Sequence, residues 1–331
     1  MGTLPARFEE PAGFKWGSFK DAGGANIRYG SLQPQGESKG TIVLVSGFRE
    51  TIEKYFEVMR DLTDRGFAVW MMDWHGQGGS DRFLKDNPQK MHSNGYDEHI
   101  ATLKQFAQTI VRKSNGPLIL SAHSMGAHIG LRCLKEHEGV FDSAILTSPM
   151  FDILTPGFSA EGARVLAKGA KALGMLTKYV PGAHDWDAKT DEAEKNDLSS
   201  DKARSGVLAT IYAAKPELKM GGPTYGWVLN TFNSIDKLKD ENYQRAIKTP
   251  ILMGIAGDDK TVIASASQRA AGLIPNCTRF DIPESRHEIW MEQDKVRNQW
   301  LAQVDKFLAG RLGPAPTPKK SNPKPPRPPG L

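Results

Sequence analysis

The sequence predicts an α/β protein built on a mostly parallel, doubly wound sheet, with a helical cap insertion past its middle. Three observations carry this. Apolar, β-branched runs at 41–45, 67–72, 117–122, 143–147 and 250–256 have the all-hydrophobic character of strands buried on both faces. Segments with helical periodicity separate most of them, as right-handed crossovers between parallel strands require. From Ser148 to about Arg245 the alternation stops, and helix-like stretches are broken by Pro156, Pro181, Gly221, Gly222 and Pro223 without a buried strand.

Each element follows in order. Residues 14–34 alternate loosely about Gly23-Gly24 and predict an antiparallel lead-in hairpin. The central strand Thr41-Ile42-Val43-Leu44-Val45 ends in Ser46-Gly47-Phe48-Arg49-Glu50, and a helix is expected over 51–65. The strand 67–72 runs into Asp73-Trp74-His75-Gly76-Gln77-Gly78-Gly79-Ser80, and a long helix is expected over 95–113. A strand from Pro117 turns at Ser124 into a segment whose Ile129, Leu131, Cys133 and Leu134 have helical spacing. After strand 143–147 and the insertion, strand 250–256 is followed by a helix near 262–273, a strand at 278–282 and a last helix over 288–308. The expected organisation is a core in two parts, 1–147 and 246–312, around a cap of 148–245. A proline-rich basic tail, 313–331, cannot form a packed core.

Composition narrows the class. With 331 residues, 39% hydrophobic and 24% charged, the chain has ample material for a soluble core. Cys133 and Cys277 make neither a disulfide framework nor a metal cluster and read as small buried hydrophobes. No window has transmembrane length, and residues 1–13 lack the apolar stretch of a secretory signal, so the expected location is the cytoplasm. The net charge of +5 is concentrated at one end: Lys319, Lys320, Lys324 and Arg327 face no acid in the tail. The rest of the chain is close to neutral, which argues against a nucleic-acid partner.

The chemistry centres on Ala122-His123-Ser124-Met125-Gly126. Strand, small residue, serine, glycine and helix is the layout of a nucleophile elbow, which lifts a serine hydroxyl clear of the sheet edge. Small residues are expected two before and two after the serine, where strand and helix backbones pass closely. A serine needs a base to take its proton and a carboxylate to orient that base. Chain order offers both on loops after later strands: Asp258 and Asp259 after 250–256, and His287 after 278–282. Asp259 is the assigned acid because Val262, three residues on, can return to the core while the carboxylate faces the histidine; Asp258 is the alternative, with a helix cap as its other role. The tetrahedral intermediate needs two backbone N–H donors. Met125, after the nucleophile, and Phe48, freed by Gly47 to turn, are assigned to them. His123 and His128 read as packing residues, and Gly76-Gln77-Gly78-Gly79 reads as a structural turn beside the site. Arg164, Lys168, Lys171 and Lys178 fall on one face of an expected cap helix opposite Leu166, Leu173, Leu176 and Val180. That face fits either an anionic lipid surface or plain amphipathic packing.

These blocks together resemble an α/β-hydrolase of the lysophospholipase and monoacylglycerol lipase group, within the serine aminopeptidase S33-like hydrolases. The resemblance covers roughly 25–310. It rests on Ser46–Glu50 with Lys54-Tyr55, on Asp73–Ser80, on the elbow, on the acid loop 256–262, and on His287-Glu288 with Glu292. Asn196–Asp201 and Gly221–Val228 are similar to cap segments of bacterial lysophospholipase L2-like proteins. Ser46 stands where many relatives have His or Pro, and Ala122 where glycine is usual. The resemblance implies ester hydrolysis through an acyl-serine, with no cofactor and no metal. Ser124 would be the nucleophile, His287 the base and Asp259 its orienting acid, while the cap would hold a lipid acyl chain. Leu166, Leu173, Met175 and Leu176 with Tyr225, Trp227 and Val228 supply apolar surface for it. Two other readings keep the fold. An amide-cleaving aminopeptidase-like enzyme would hold a substrate amine with acids such as Asp185, Asp187, Asp191 or Glu192. An idle scaffold would offer its proline-rich tail to an SH3-like partner.

Overall fold

The apolar runs pair into one sheet. A computed structural model describes residues 4–112, 116–155, 157–191 and 198–312. Its strands are β1 (Lys15–Lys20), β2 (Asn26–Leu32), β3 (Gly40–Val45), β4 (Phe67–Met72), β5 (Leu118–His123), β6 (Ser143–Thr147), β7 (Ile251–Ala256) and β8 (Cys277–Ile282). They lie in the order β1-β2-β4-β3-β5-β6-β7-β8. β1 and β2 form the antiparallel lead-in, and every pair from β4 through β3 to β8 is parallel. The C-terminal ends of six strands therefore share one edge, where loops can bring distant residues together.

Side chains alternate across that sheet. Val43, Val45, Leu120 and Ala122 enter one apolar layer, and Ile42, Leu44 and Ile119 enter the layer on the other face. Each fully buried Val, Leu or Ile side chain among them contributes about 1.5–3 kcal/mol. β3 pairs with β4 and β5 at once, Val45 opposite both Met72 and Ala122, so the loop after β3 lies beside the turn after β5. The cysteines differ from expectation in part: Cys133 is buried, whereas Cys277 on the outer strand β8 is half-buried.

Helices depart from the sequence at their ends. The segment expected as helix from 51 begins as a 3₁₀ turn, Ile52–Tyr55, before the α-helix Phe56–Asp64. The helix expected to 113 stops at Gln105 and passes into a π-turn, Phe106–Ile110, with Val111 N donating to Phe106 O. The last helix spans Asp294–Ala309 rather than 288–308, because Glu288 N is drawn instead to Leu198 O and residues 289–291 form a separate 3₁₀ turn.

Between β6 and β7 the described residues carry helices Ala160–Ala172, Lys202–Ser205, Val207–Ala214, Tyr225–Lys239 and Glu241–Arg245. The first is capped by Ser159 Oγ, which accepts from Gly162 N, and ends ahead of Gly174 at φ +68°. Lys178 consequently lies beyond that helix, and Arg164 is tied bidentately to Asp236, so the four-residue basic face expected from spacing does not exist as one stripe. Among the described residues no helix is long and apolar enough to cross a membrane. The proline-rich tail 313–331, expected to be open to an SH3-like partner, and Glu192, Asn196 and Asp197 lie outside the described residues.

Candidate active site

Ser124 opens the helix Ser124–Glu136 directly after β5, with φ +51°. A non-glycine residue held there stores about 1–3 kcal/mol, retained because the strand and helix on either side dictate the turn. A Cβ on Gly126 would lie 2.4 Å from Ser46 O and 3.0 Å from Val45 O. The close approach that requires glycine is thus to the end of β3, not to β5, and the methyl of Ala122 is accommodated in the core.

The residues assigned from sequence meet at the sheet edge. Ser124 Oγ lies 2.8 Å from His287 Nε2, and His287 Nδ1 lies 2.7 Å from Asp259 Oδ2. The carboxylate can only accept, so Nδ1 carries the proton and Nε2 is left to receive one from the serine. All three side chains are nearly sealed from solvent. Asp259 Oδ1 accepts from Thr261 N and Val262 N at 2.8 and 3.0 Å, and Val262 is in the core. The turn-capping role considered for Asp258 therefore falls to Asp259 too. Asp258 instead faces Lys260 and Arg286 at the surface. Ser148, itself at φ +44°, donates from Oγ to His287 O at 2.7 Å and fixes the histidine's backbone.

Burial alone would lower the His287 pKa, but the Asp259 charge outweighs it, helped by Glu288 and Glu50, and the net movement is upward. Burial likewise opposes ionisation of Asp259. His287 and the two loop N–H donors prevail and hold its carboxyl below the ordinary range.

The loop after β3 is clamped from two sides. Gly47 N donates to Glu50 Oε2 at 2.5 Å, Gln77 Nε2 donates to Gly47 O at 2.9 Å, and Arg49 N, at φ +61°, donates to Gln77 Oε1 at 2.8 Å. Gly47 N and Arg49 N are engaged, whereas Phe48 N has no acceptor among the described residues. Met125 N is in the first helical turn, where no intrahelical acceptor exists.

Beneath the loop lies a buried charge cluster. Lys54 Nζ bridges Glu50 Oε1 at 2.7 Å and Glu288 Oε1 at 2.5 Å, and Tyr55 OH donates to Glu50 Oε2 at 2.8 Å. Burial resists the Glu50 charge, yet Lys54, His123 and Tyr55 pull its pKa down to about 2. Glu288 moves up, since burial and the neighbouring Glu50 charge outweigh its share of Lys54. Sequence reasoning missed the clamp by Gln77, the Ser148 support and the role of Lys54. Gln77 stood in a stretch legible only as a turn, and Glu288 is 234 residues from Lys54.

The remaining candidates have structural partners. His128 bonds Met150 O and Ser234 Oγ, and His123 bonds Thr147 Oγ1; burial lowers both pKa values to about 3. Asp73 accepts from Gly79 N within the glycine-rich turn. Of the proposed acyl-binding residues, Trp227 is buried with its ring 4.4 Å from that of Phe48. Leu166, Leu176 and Val228 are half-buried around Tyr225, whereas Leu173 and Met175 are exposed.

The chain is similar to known proteins in sequence and in fold. The chain is 31% identical over 287 residues to lysophospholipase L2 of Escherichia coli (strain K12), covering 83% of this chain and 82% of that protein. It is 28% identical over 278 residues to a probable lysophospholipase L2 of Haemophilus influenzae, covering 84% and 86%. A crystal structure of a soluble variant of monoglyceride lipase from Saccharomyces cerevisiae, bound to a substrate analogue, superposes with a TM-score of 0.70 at 18% identity, over 95% of this chain and 97% of that one. The fold is that of the α/β-hydrolases. Residues 36–294 match the family described as serine aminopeptidase, S33, and the chain belongs to that family.

Proposed function

We propose that this chain hydrolyses carboxylic esters of single-chain lipids, lysophospholipids or monoacylglycerols, through an acyl-serine intermediate. The observation that carries the reading is the continuous hydrogen-bonded chain from Ser124 Oγ through His287 to Asp259. Ser124 Oγ attacks the ester carbonyl carbon as its proton passes to His287 Nε2. The oxyanion so formed takes hydrogen bonds from Phe48 N and Met125 N. Collapse expels the alcohol, which leaves with the proton from His287. Water then adds to the acyl-serine, giving a proton to the same nitrogen, and the fatty acid departs with Ser124 restored. No step calls for a cofactor.

Residues 148–245 act as a cap, with Trp227, Tyr225 and Val228 receiving the acyl chain next to Phe48. The names of the bacterial relatives support a lipid ester as substrate. The amide-cleaving alternative is disfavoured by the cap acids' own partners: Asp191 is paired with Arg49, and Asp185 with Tyr179 and Asn87.

The test is an acyl-chain-length series of glycerol and glycerophosphocholine monoesters, with an aminoacyl anilide beside it, run on wild type and Ser124→Ala. Wild type is expected to turn over the long-chain esters far faster than the anilide, and Ser124→Ala to lose about 10⁴-fold or more in kcat. Faster anilide cleavage, or undiminished ester cleavage by Ser124→Ala, overturns the proposal.

A further inference from the structure

A second group of polar side chains converges on the same sheet edge, at the outer side of β4 and away from Ser124. Asp21 sits in the β1–β2 turn, His75 in the loop after β4, and Glu98 in the first turn of the helix Tyr96–Gln105. One ligand-capable atom from each lies within 4.8 Å of the other two. His75 Nδ1 is 2.7 Å from Glu98 Oε1 and 4.0 Å from Asp21 Oδ2.

The arrangement is unusual at Asp21. Its side chain is only 2% exposed. Oδ1 is used, accepting from Ala25 N at 2.9 Å, but Oδ2 is buried, directed at the cluster, and has no hydrogen-bond partner among the described residues. A buried carboxylate oxygen without a donor is desolvated with nothing in return. His99, next to Glu98 in the chain, adds a second buried orphan, its Nδ1. The His75 ring is held by stacking on Phe83, with centroids 3.8 Å apart and planes 23° from parallel.

We propose that Asp21, His75 and Glu98 bind a divalent transition-metal ion, of the zinc class, through Asp21 Oδ2, His75 Nδ1 and Glu98 Oε1. One imidazole with two carboxylates is a donor set that suits zinc better than magnesium or calcium, which prefer all-oxygen shells. Ligand atoms around a tetrahedral zinc stand about 3.4 Å apart, and side-chain adjustments of about 1 Å bring these three to that spacing. The ion would supply the charge that Asp21 Oδ2 lacks, and it would staple three elements far apart in sequence: the lead-in hairpin, the β4 loop and the helix 96–105. Gln77, two residues after His75, is the side chain that clamps Gly47 and Arg49, so the staple would also steady the loop carrying Phe48.

The experiment uses the full chain, freed of metal by chelator and dialysis, and zinc chloride alone as the probe. Titration calorimetry and thermal melting are compared for wild type, His75→Gln and Glu98→Gln; Glu98 is half-exposed, so its variant is the safer of the two to fold. The expected result is one ion per wild-type chain, a Tm raised by zinc, and affinity at least about tenfold weaker in both variants. The proposal is overturned by the absence of zinc heat and of any Tm change up to about 100 µM. Binding of unchanged affinity in either variant overturns it equally, by placing the ion elsewhere.

Discussion

At His287, burial and charge act in opposite directions, and the winner sets the pH range in which the serine can be activated. The imidazole must be neutral to accept the Ser124 proton, and its pKa is moved above the ordinary 6.5 by Asp259 in spite of burial. Ester kcat/KM is therefore expected to fall as pH drops through a pKa higher than that of a free histidine; a limb lying below 6.5 in the pH–rate profile contradicts this. Asp259→Asn removes the charge responsible and reverses the Nδ1 hydrogen bond, so kcat should fall roughly 10⁴-fold. Asp258→Asn, at a surface ion pair with Lys260, should stay within about threefold. Equal losses in the two variants would show that the acid has been misassigned. The order of Ser124, Asp259 and His287 was legible because each follows a strand, Ser124 and Asp259 after buried apolar runs and His287 after the mixed strand β8. The choice between adjacent aspartates rests on Val262 returning to the core; Asp259 Oδ1 accepts from the Thr261 and Val262 amides while its Oδ2 faces His287 Nδ1.

At the scale of elements, the loop after β3 depends on a lysine that sequence patterning gives no reason to single out. Lys54 lies in the 3₁₀ turn Ile52–Tyr55 and is buried between Glu50 and Glu288. Removing one partner of a buried ion pair costs about 3–5 kcal/mol, because the remaining charge stays desolvated. Lys54→Met should therefore destabilise the fold by about that amount in urea denaturation. It should also slow the enzyme, since Glu50 Oε2 holds Gly47 N. The double variant Lys54→Met with Glu288→Gln should recover part of the loss. Additive effects in that cycle would mean that the pair is not coupled. Strands were legible and such partnerships were not, for a physical reason. An apolar run reports its own burial, whereas Arg204 with Glu57 and Lys54 with Glu288 pair residues 147 and 234 positions apart, a distance no local period records. The same competition moved the last helix to Asp294, because Glu288 and Glu292 serve contacts with Leu198, Ser200 and Arg286 rather than an N-terminal turn.

For the whole molecule, the informative asymmetry is where large apolar side chains meet solvent. Leu154, Phe158, Val165, Leu173 and Met175 are all at least 38% exposed and all lie between β6 and β7; among the described residues outside that segment only Trp16 matches them. Scattered exposure is ordinary, but exposure gathered on the segment proposed to receive an acyl chain has a use if the substrate resides in a lipid surface. The basic stripe read from the sequence is not what would make that contact, since Arg164 is consumed by Asp236; Lys168 and Lys171 remain exposed next to Val165 and Leu173. Substituting Phe158→Ser and Val165→Ser together removes apolar area that touches neither Ser124 nor the loop after β3. On monoacylglycerol dispersed in anionic vesicles the rate should fall about tenfold, the equivalent of about 1.4 kcal/mol of lost surface binding. On a water-soluble short-chain p-nitrophenyl ester it should change less than about twofold, because the acyl-transfer machinery is untouched. Cosedimentation with the vesicles should weaken in parallel with the first rate. If both substrates slow equally, the two side chains act through the fold of the cap and not through a lipid interface. If neither slows, the exposed face has no part in reaching the substrate.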